Sequence, residues 1–361
     1  MLRKSRQPPV PMDEEIVQPK GGVRIIFATD LHLWPNNPAN RQGNYAADML
    51  SKAAQVFAYA SARKAQLVIW GGDLTHRPEH GGLVSAVTCR LLNPFLSCML
   101  EYVAQGGKVI FNVGEHDVDG REAGTYIYGP LGMLEMVGDT FVQTDQRRSV
   151  VHNVAVGYDD ANPNGIFTSQ LDINGFPLGI ACVPCQPNTE ADVEALQRLS
   201  DFSDSSIHII VLHQPIHPGQ PPWPHVNPED LPIYPGQIVL CGHVHETFDP
   251  IRTANDGIVL IPGALARRSI DEAARIPTFV EIELGSAIKF RAVTHIPGDE
   301  LFREPMGETA EEIESARLLL GQQSDPNRLS LRGRLLKSVA SEALATKKAA
   351  LSSYDAAEGG E

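Results

Sequence analysis

Five short blocks rich in Asp, Glu and His lie between residues 30 and 245: Asp30-Leu31-His32, Gly71-Gly72-Asp73-Leu74-Thr75-His76, Gly114-Glu115-His116-Asp117, the lone His213, and Gly242-His243-Val244-His245. Carboxylate oxygen with imidazole nitrogen is the ligand set of borderline-hard divalent ions, Mn²⁺, Fe or Zn²⁺, whereas a thiolate-rich set would indicate structural zinc. In an extended chain the side chains of Asp30 and His32 fall on one side and can reach one ion. His243 and His245 have the same spacing. A single strand-end histidine is more often a satisfied polar residue than a ligand, so the joint occurrence and order of the blocks carry the metal reading. Glycines next to Asp73, Glu115 and His243 allow tight turns and close approach of backbone to ligand.

The elements that must position these blocks are apolar runs ending just before them: VRIIFAT before Asp30, LVIW before the second block, KVIFNV before the third, IHIIVL before His213 and QIVL before the last. Ligands of open α/β sheets bind at this carboxyl end of the strands. Between the first two runs, NYAADMLSKAAQVFAYASARKA has Ala47, Leu50, Ala54 and Phe57 at helical spacing and suits a crossover helix. A second helix, LVSAVTCRLLNPFLSCMLEYV, should be kinked or split at Pro94. Strand-like segments recur in 141–183 and 257–295, among them SVVHNVAVGY, GIVLIPG, TFVEIEL and IKFRAVTH. The expected fold is α/β, two packed mixed β-sheets flanked by helices with a small helical extension at the C-terminus. Three regions follow: a leader over 1–22, a catalytic domain over 23–296 and a helical tail over 297–361. In that tail Leu331, Leu335, Val339 and Ala343 recur every fourth residue among Arg332, Arg334 and Lys337, which suits either a partner-binding helix or one packed on its own domain.

A net charge of −14 argues against a surface that clamps nucleic acid along its whole length, because such binding draws on Lys and Arg. A local site survives, since two divalent ions bring positive charge to where a phosphate must sit. Five cysteines are few and odd in number, which fits a reducing compartment; Cys182 and Cys185 read as buried cysteines at a strand end. No run approaches a membrane span, and the basic start has no apolar stretch behind it, so a cytoplasmic protein without membrane contact is expected.

The order D-x-H, G-D, G-x-H, H, G-H-x-H resembles the calcineurin-like metallophosphoesterase superfamily over about residues 23–295. The resemblance implies a two-metal site, with Mn²⁺ the first expectation and Fe or Zn²⁺ the alternatives. Asp30, His32 and His245 would hold one ion, His213 and His243 the other, and Asp73 would bridge. Glu115 stands where the family has an asparagine ligand. Three carboxylates then face two divalent ions, leaving a formal charge of about +1, which should hold metal more firmly and attract phosphate less. Such a pair supplies an activated water and neutralises charge building on phosphate oxygens. His116 is expected to protonate the leaving group with Asp117 orienting its ring, and His76 to contact phosphate or assist His116.

Within the superfamily, GDLTH, VLHQP and IPGALARRS resemble the SbcD-type DNA repair nucleases, which pair with an SbcC-type coiled-coil ATPase. That implies DNA as substrate and an ATPase partner meeting residues 308–348; a homodimer is left open. A small-nucleotide phosphodiesterase or phosphatase and a non-catalytic scaffold are the alternatives. Trp34 stands where the nucleases have Gly, either packing or lining the cleft and stacking on a base.

Overall fold

The apolar runs become short strands: β1 (Arg24–Ala28), β2 (Leu67–Trp70), β3 (Lys108–Phe111), β4 (Val154–Val156), β5 (Phe167–Ile173), β6 (Phe176–Val183), β7 (Ile207–Leu212), β8 (Ile238–Cys241), β9 (Ile251–Arg252), β10 (Ile258–Leu260), β11 (Thr278–Glu283) and β12 (Ala287–Ala292). In this computed structural model the described residues are 22–76, 86–119, 122–143, 153–161, 165–186, 195, 207–284 and 286–302. The chain divides into compact units of residues 1–304 and 305–361, and the second, with the helical tail expected there, lies outside the described residues.

The strands form two mixed sheets of six, ordered β12-β11-β1-β2-β3-β4 and β5-β6-β7-β8-β10-β9. β1 through β4 run parallel, as do β6, β7, β8 and β10, and antiparallel strands close the edges. Period-two alternation decides what packs where. Ile25 and Phe27 of β1 and Ile69 of β2 join Ile209, Val211 and Leu240 of the other sheet in one apolar layer. Their neighbours Ile26, Val68 and Trp70 face away, into a second layer with helix α1 (Tyr45–Ala62) and helix α2 (Ala86–Ala104). Parallel strands covered on both faces read as continuous apolar runs, which is why these strands were legible.

Helix α1 starts at Asn44, whose side chain accepts from the Ala47 amide, and stops where Lys64 enters left-handed backbone. Its buried stripe includes Met49, Ala53, Val56 and Phe57, and one cation: Lys52 donates to the Leu265 carbonyl at 2.8 Å beside Asp48 at 3.1 Å. Burial lowers the Lys52 ammonium to about 8 in spite of Asp48. α2 runs through Pro94 as one helix rather than splitting there. Leu92, Phe95 and Met99 flank the proline in one packed layer, and that burial outweighs the missing backbone bond.

Glu281 on β11 ties strands to α1. Its side chain is 2% exposed and meets Arg24 at 3.2 Å, Arg63 at 2.9 Å, Arg291 at 3.1 Å and the Tyr59 hydroxyl at 2.8 Å. Burial alone would raise its pKa; the hydrogen bonds from Tyr59, Arg63 and Arg291 outweigh it and hold the carboxyl below its ordinary value. A depressed folded pKa gives stability that is present above about 4.3 and lost as pH falls below it. Glu281→Gln is expected to cost about 2–3 kcal/mol at neutral pH, less than for a fully buried pair because Arg63 and Arg291 reach solvent. Denaturant unfolding should show that gap narrowing at pH 4; an equal loss at both pH values would refute the linkage.

Candidate metal centre

All five chemical blocks begin within a few residues of a strand's carboxyl end, β1, β2 and β3 in one sheet and β7 and β8 in the other. The side chains meet for a different reason than strand alternation. β1 ends at Ala28, and both Asp30 (φ 53°) and His32 (φ 47°) are in left-handed backbone. Asp73 (φ 50°) and His243 (φ 78°) share that conformation. Each such residue costs on the order of 1 kcal/mol, and half of the eight non-glycine cases in the described residues fall on expected ligands. Two glycines make the crowding tolerable. A Cβ on Gly114 would stand 2.2 Å from Asp73 Oδ1, and one on Gly72, at φ +107°, would stand 2.3 Å from His213 Nδ1.

Asp30, His32 and His245 form the first ligand group, their donor atoms within 4.8 Å of one another. Asp30 Oδ2 accepts from Thr29 Oγ1 at 2.6 Å and the His243 amide at 3.1 Å. Its Oδ1 is buried without a hydrogen-bond partner, 3.7 Å from both His32 Nε2 and His245 Nε2. His245 Nδ1 donates to Glu272 Oε1 at 2.7 Å, which leaves the lone pair on Nε2. That nitrogen lies 3.1 Å from His32 Nε2. Two imidazoles holding one ion at about 2.0–2.1 Å would sit about 3.3 Å apart, so the pair is spaced for a shared cation.

Asp73 links this group to a second. Its Oδ2 is 3.7 Å from His32 Nε2, and its Oδ1 is 3.4 Å from His213 Nε2 while accepting from the His116 amide at 2.8 Å. His213 Nδ1 donates to the Gly71 carbonyl at 2.8 Å, so here too Nε2 is the ligating atom. Glu115 lies 3.8 Å from His243 Nδ1 and 3.9 Å from His116 Nε2. Burial would lower the His213 pKa, but Asp73 and then Asp30 lift it to about 10. His32 goes the other way, held well below its ordinary value by burial against the pull of Asp73. The field of the carboxylates is one that demands cations, and the donor set fits two divalent ions of the hard to borderline class.

His116 and His76 flank the ligands. The His116 ring is centred 5.0 Å from that of His32 and 5.2 Å from that of His76, with Nε2 4.0 Å from Asp73 Oδ2. His32, His76 and His116 could by distance form a third ligand group. Arg268 Nη1, always a donor, lies 2.7 Å from His76 Nδ1; the proton of the neutral ring must then be on Nε2, and His76 is a hydrogen-bond donor rather than a ligand. Asp117 does not orient His116. Its oxygens accept from the Thr75 amide (2.9 Å), Thr75 Oγ1 (3.2 Å) and the Gly114 amide (3.1 Å), fastening the second block to the third. With both oxygens spent on loop backbone, the adjacent ring is left to Asp73 and Glu115. Trp34 is half-buried, packed against the core layer beneath the helices and at the same time lining a cavity, its ring 5.9 Å from that of His76.

Residues 23–247 match the sequence model of the calcineurin-like phosphoesterases. The chain belongs to this family. A calcineurin-like phosphoesterase hydrolyses phosphoesters with the help of metal ions, and the two ligand groups about Asp73 are the candidates to hold them. No curated protein matches this phosphoesterase. Among solved structures it is similar to a dimetal phosphatase from Danio rerio, with 10% identity, a TM-score of 0.45, and coverage of 76% of this chain and 98% of that one. It is also similar to a protein assigned as a 5′-nucleotidase from Staphylococcus aureus, with 14% identity, a TM-score of 0.37, and coverage of 84% of this chain and 58% of that one. Among the described residues of the phosphoesterase, no helix is long and apolar enough to cross a membrane.

Two residues that serve the centre were not legible beforehand. Glu272 fixes the His245 ring, accepts from the Arg268 and Ser269 amides in a capping box, and is itself held well ionised: burial would raise it, but His245 and Arg275 bring it to about 2. Arg268 sets the His76 tautomer. Both lie 27 or fewer residues beyond His245, Arg268 within the IPGALARRS segment and Glu272 just after it, where the capping-box spacing of Ser269 and Glu272 is the local signal. The paired cysteines have no part here. Cys182 and Cys185 are buried, and burial pushes the Cys182 thiol up to about 12.

Proposed function

We propose that this phosphoesterase is a phosphodiesterase acting on DNA, in the manner of the SbcD-type nucleases. The observation that carries the reading is the convergence of two carboxylate–imidazole groups on Asp73, with two further imidazoles, His116 and His76, on one flank. Asp30, His32 and His245 would hold one ion and His213, His243 and Glu115 the other. Ions so held supply an activated water and charge neutralisation at phosphorus. His116 stands beside the carboxylates and is 29% exposed, placed to hand a proton to a leaving alkoxide. His76 Nε2–H is a donor for a phosphate oxygen. An ester whose leaving group is a sugar alkoxide, as in DNA, needs such a proton, whereas one with a good leaving group does not.

The net charge of −14 favours a second reading, a small nucleotide diester as substrate. Labelled linear DNA and a chromogenic diester, offered with Mn²⁺ to wild type and to His213→Ala, separate the two. Loss of DNA in wild type alone supports the nuclease. Turnover of the small diester alone supports the second reading, and turnover of neither supports a scaffold. The proposed ATPase partner would be tested by co-purification with and without residues 300–361.

Glu115 sets how fast the site works. An asparagine there would remove one negative charge from the ligand groups, so Glu115→Asn is expected to raise turnover at saturating Mn²⁺ while metal affinity falls about tenfold. Metal titration followed by steady-state kinetics reads both quantities. A clear loss of turnover at saturation would overturn the charge argument.

A further inference from the structure

Beside the metal centre lies a cavity of about 250 Å³ lined by Trp34, Asn37, Pro38, Tyr45, His76 and Arg268. His76 is the wall it shares with the centre, its ring 5.6 Å from that of His32 and 5.2 Å from that of His116. Arg268, hydrogen-bonded to the His76 ring at 2.7 Å, is the neighbouring polar wall. Its backbone amide donates to Glu272 beside the Ser269–Glu272 capping box, which holds the loop whatever the side chain does.

The guanidinium of Arg268 is unusual in what it lacks. Among the described residues it makes no ion pair; its hydrogen bond goes to neutral His76, and its Nε is buried without a partner. The neighbouring acids are already engaged. Asp48 is taken by Arg41 and Lys52, and Glu272 by His245 and Arg275. A partly buried cation without a counter-ion is costly, and in a chain of net charge −14 it is all the more conspicuous. Its planar fork is the donor chemistry that recognises phosphate. Trp34 and Pro38 add an apolar wall against which a sugar or base can lie.

We infer that Arg268, walled by Trp34 and by the His76 ring, forms an anion subsite that holds a second phosphate of the substrate, one not being cleaved, next to the scissile ester. The inference rests on the phosphodiesterase reading and deepens it. A nucleoside bearing phosphate on both of its oxygens, as inside or at the end of a nucleic-acid strand, fills both sites, whereas a lone monophosphate fills one. The subsite therefore makes specificity a matter of how many phosphates flank the reacting nucleoside.

The test is equilibrium binding to the Mn²⁺-loaded full chain, by calorimetry, of thymidine 3′,5′-bisphosphate against thymidine 5′-monophosphate. Wild type is expected to prefer the bisphosphate by about tenfold or more, as a charge-assisted fork on phosphate implies. Arg268→Gln should collapse that ratio towards one, and Arg268→Lys, which keeps the charge and loses the fork, should give an intermediate ratio. Equal affinities in wild type, or Arg268→Gln weakening both ligands by the same factor, would overturn the subsite and leave Arg268 with the placing of His76 alone. If Arg268→Gln melts well below wild type, the Lys variant and the wild-type ratio decide. Hydrolysis of DNA and of the chromogenic diester is measured in parallel. A retained ratio without hydrolysis overturns the phosphodiesterase reading and supports the subsite; hydrolysis with a ratio of one does the reverse.

Discussion

Replacing Asp73 with Asn is expected to lower kcat/KM on any diester by about 10³-fold or more and to drop metal content from two ions per chain to one or none. The substitution isolates charge from fold. Asp73 is 2% exposed, and asparagine tolerates its left-handed backbone nearly as well. The amide oxygen can still accept from the His116 amide, as Asp73 Oδ1 does at 2.8 Å. What goes is the carboxylate that lies 3.7 Å from His32 and 3.4 Å from His213, between the two ligand sets. Metal content measured on the purified variant, with its melting temperature as a folding check, reads the effect without reference to turnover. A variant retaining two ions and full activity would show that Asp73 is not the bridge.

That Asp73 could be singled out from the chain reflects which physical signals are local. Strand β2 is an unbroken apolar LVIW because helices and the second sheet cover its two faces, and a polar block immediately after such a run can only be at the carboxyl edge of the sheet. The same holds for β7 running into His213. The route by which Asp30 and His32 converge was not local. Alternation predicts that the two side chains meet, and they do, but by another route: the two left-handed turns depend on backbone bonds from Asp30 to Gly72 and from His32 to Asp73, made only once β1 and β2 are paired. Asp117 is the opposite case: next to His116 in sequence, it is drawn by two unsatisfied loop amides into holding Thr75 and Gly114. Glu272 and Arg268 were hidden because their partners, His245 and His76, are 27 and 192 residues away.

His116→Ala is expected to slow hydrolysis of a diester with a poor leaving group, such as DNA, by about 10²–10⁴-fold, while a p-nitrophenyl diester loses about tenfold or less. The asymmetry follows from what the residue is proposed to do. An alkoxide of deoxyribose must be protonated as it departs, and nitrophenolate need not be. The geometry leaves two rival roles. His116 Nε2 lies 4.0 Å from Asp73 and 3.9 Å from Glu115, close enough by distance for the ring to ligate an ion. A ligand would show itself in metal content, which an acid would leave at two ions per chain. The second rival is a hydrogen bond to a non-bridging phosphate oxygen, which would slow both diesters alike. Leaving-group dependence and metal content together therefore sort the three roles: a selective loss with both ions retained is the signature of the acid, and an equal loss on both diesters would remove His116 from that role. Since Asp117 is spent on the loop, Asp117→Asn should reproduce none of the selectivity, and any effect it has should appear as a lower melting temperature from the weakened tie between the second and third blocks.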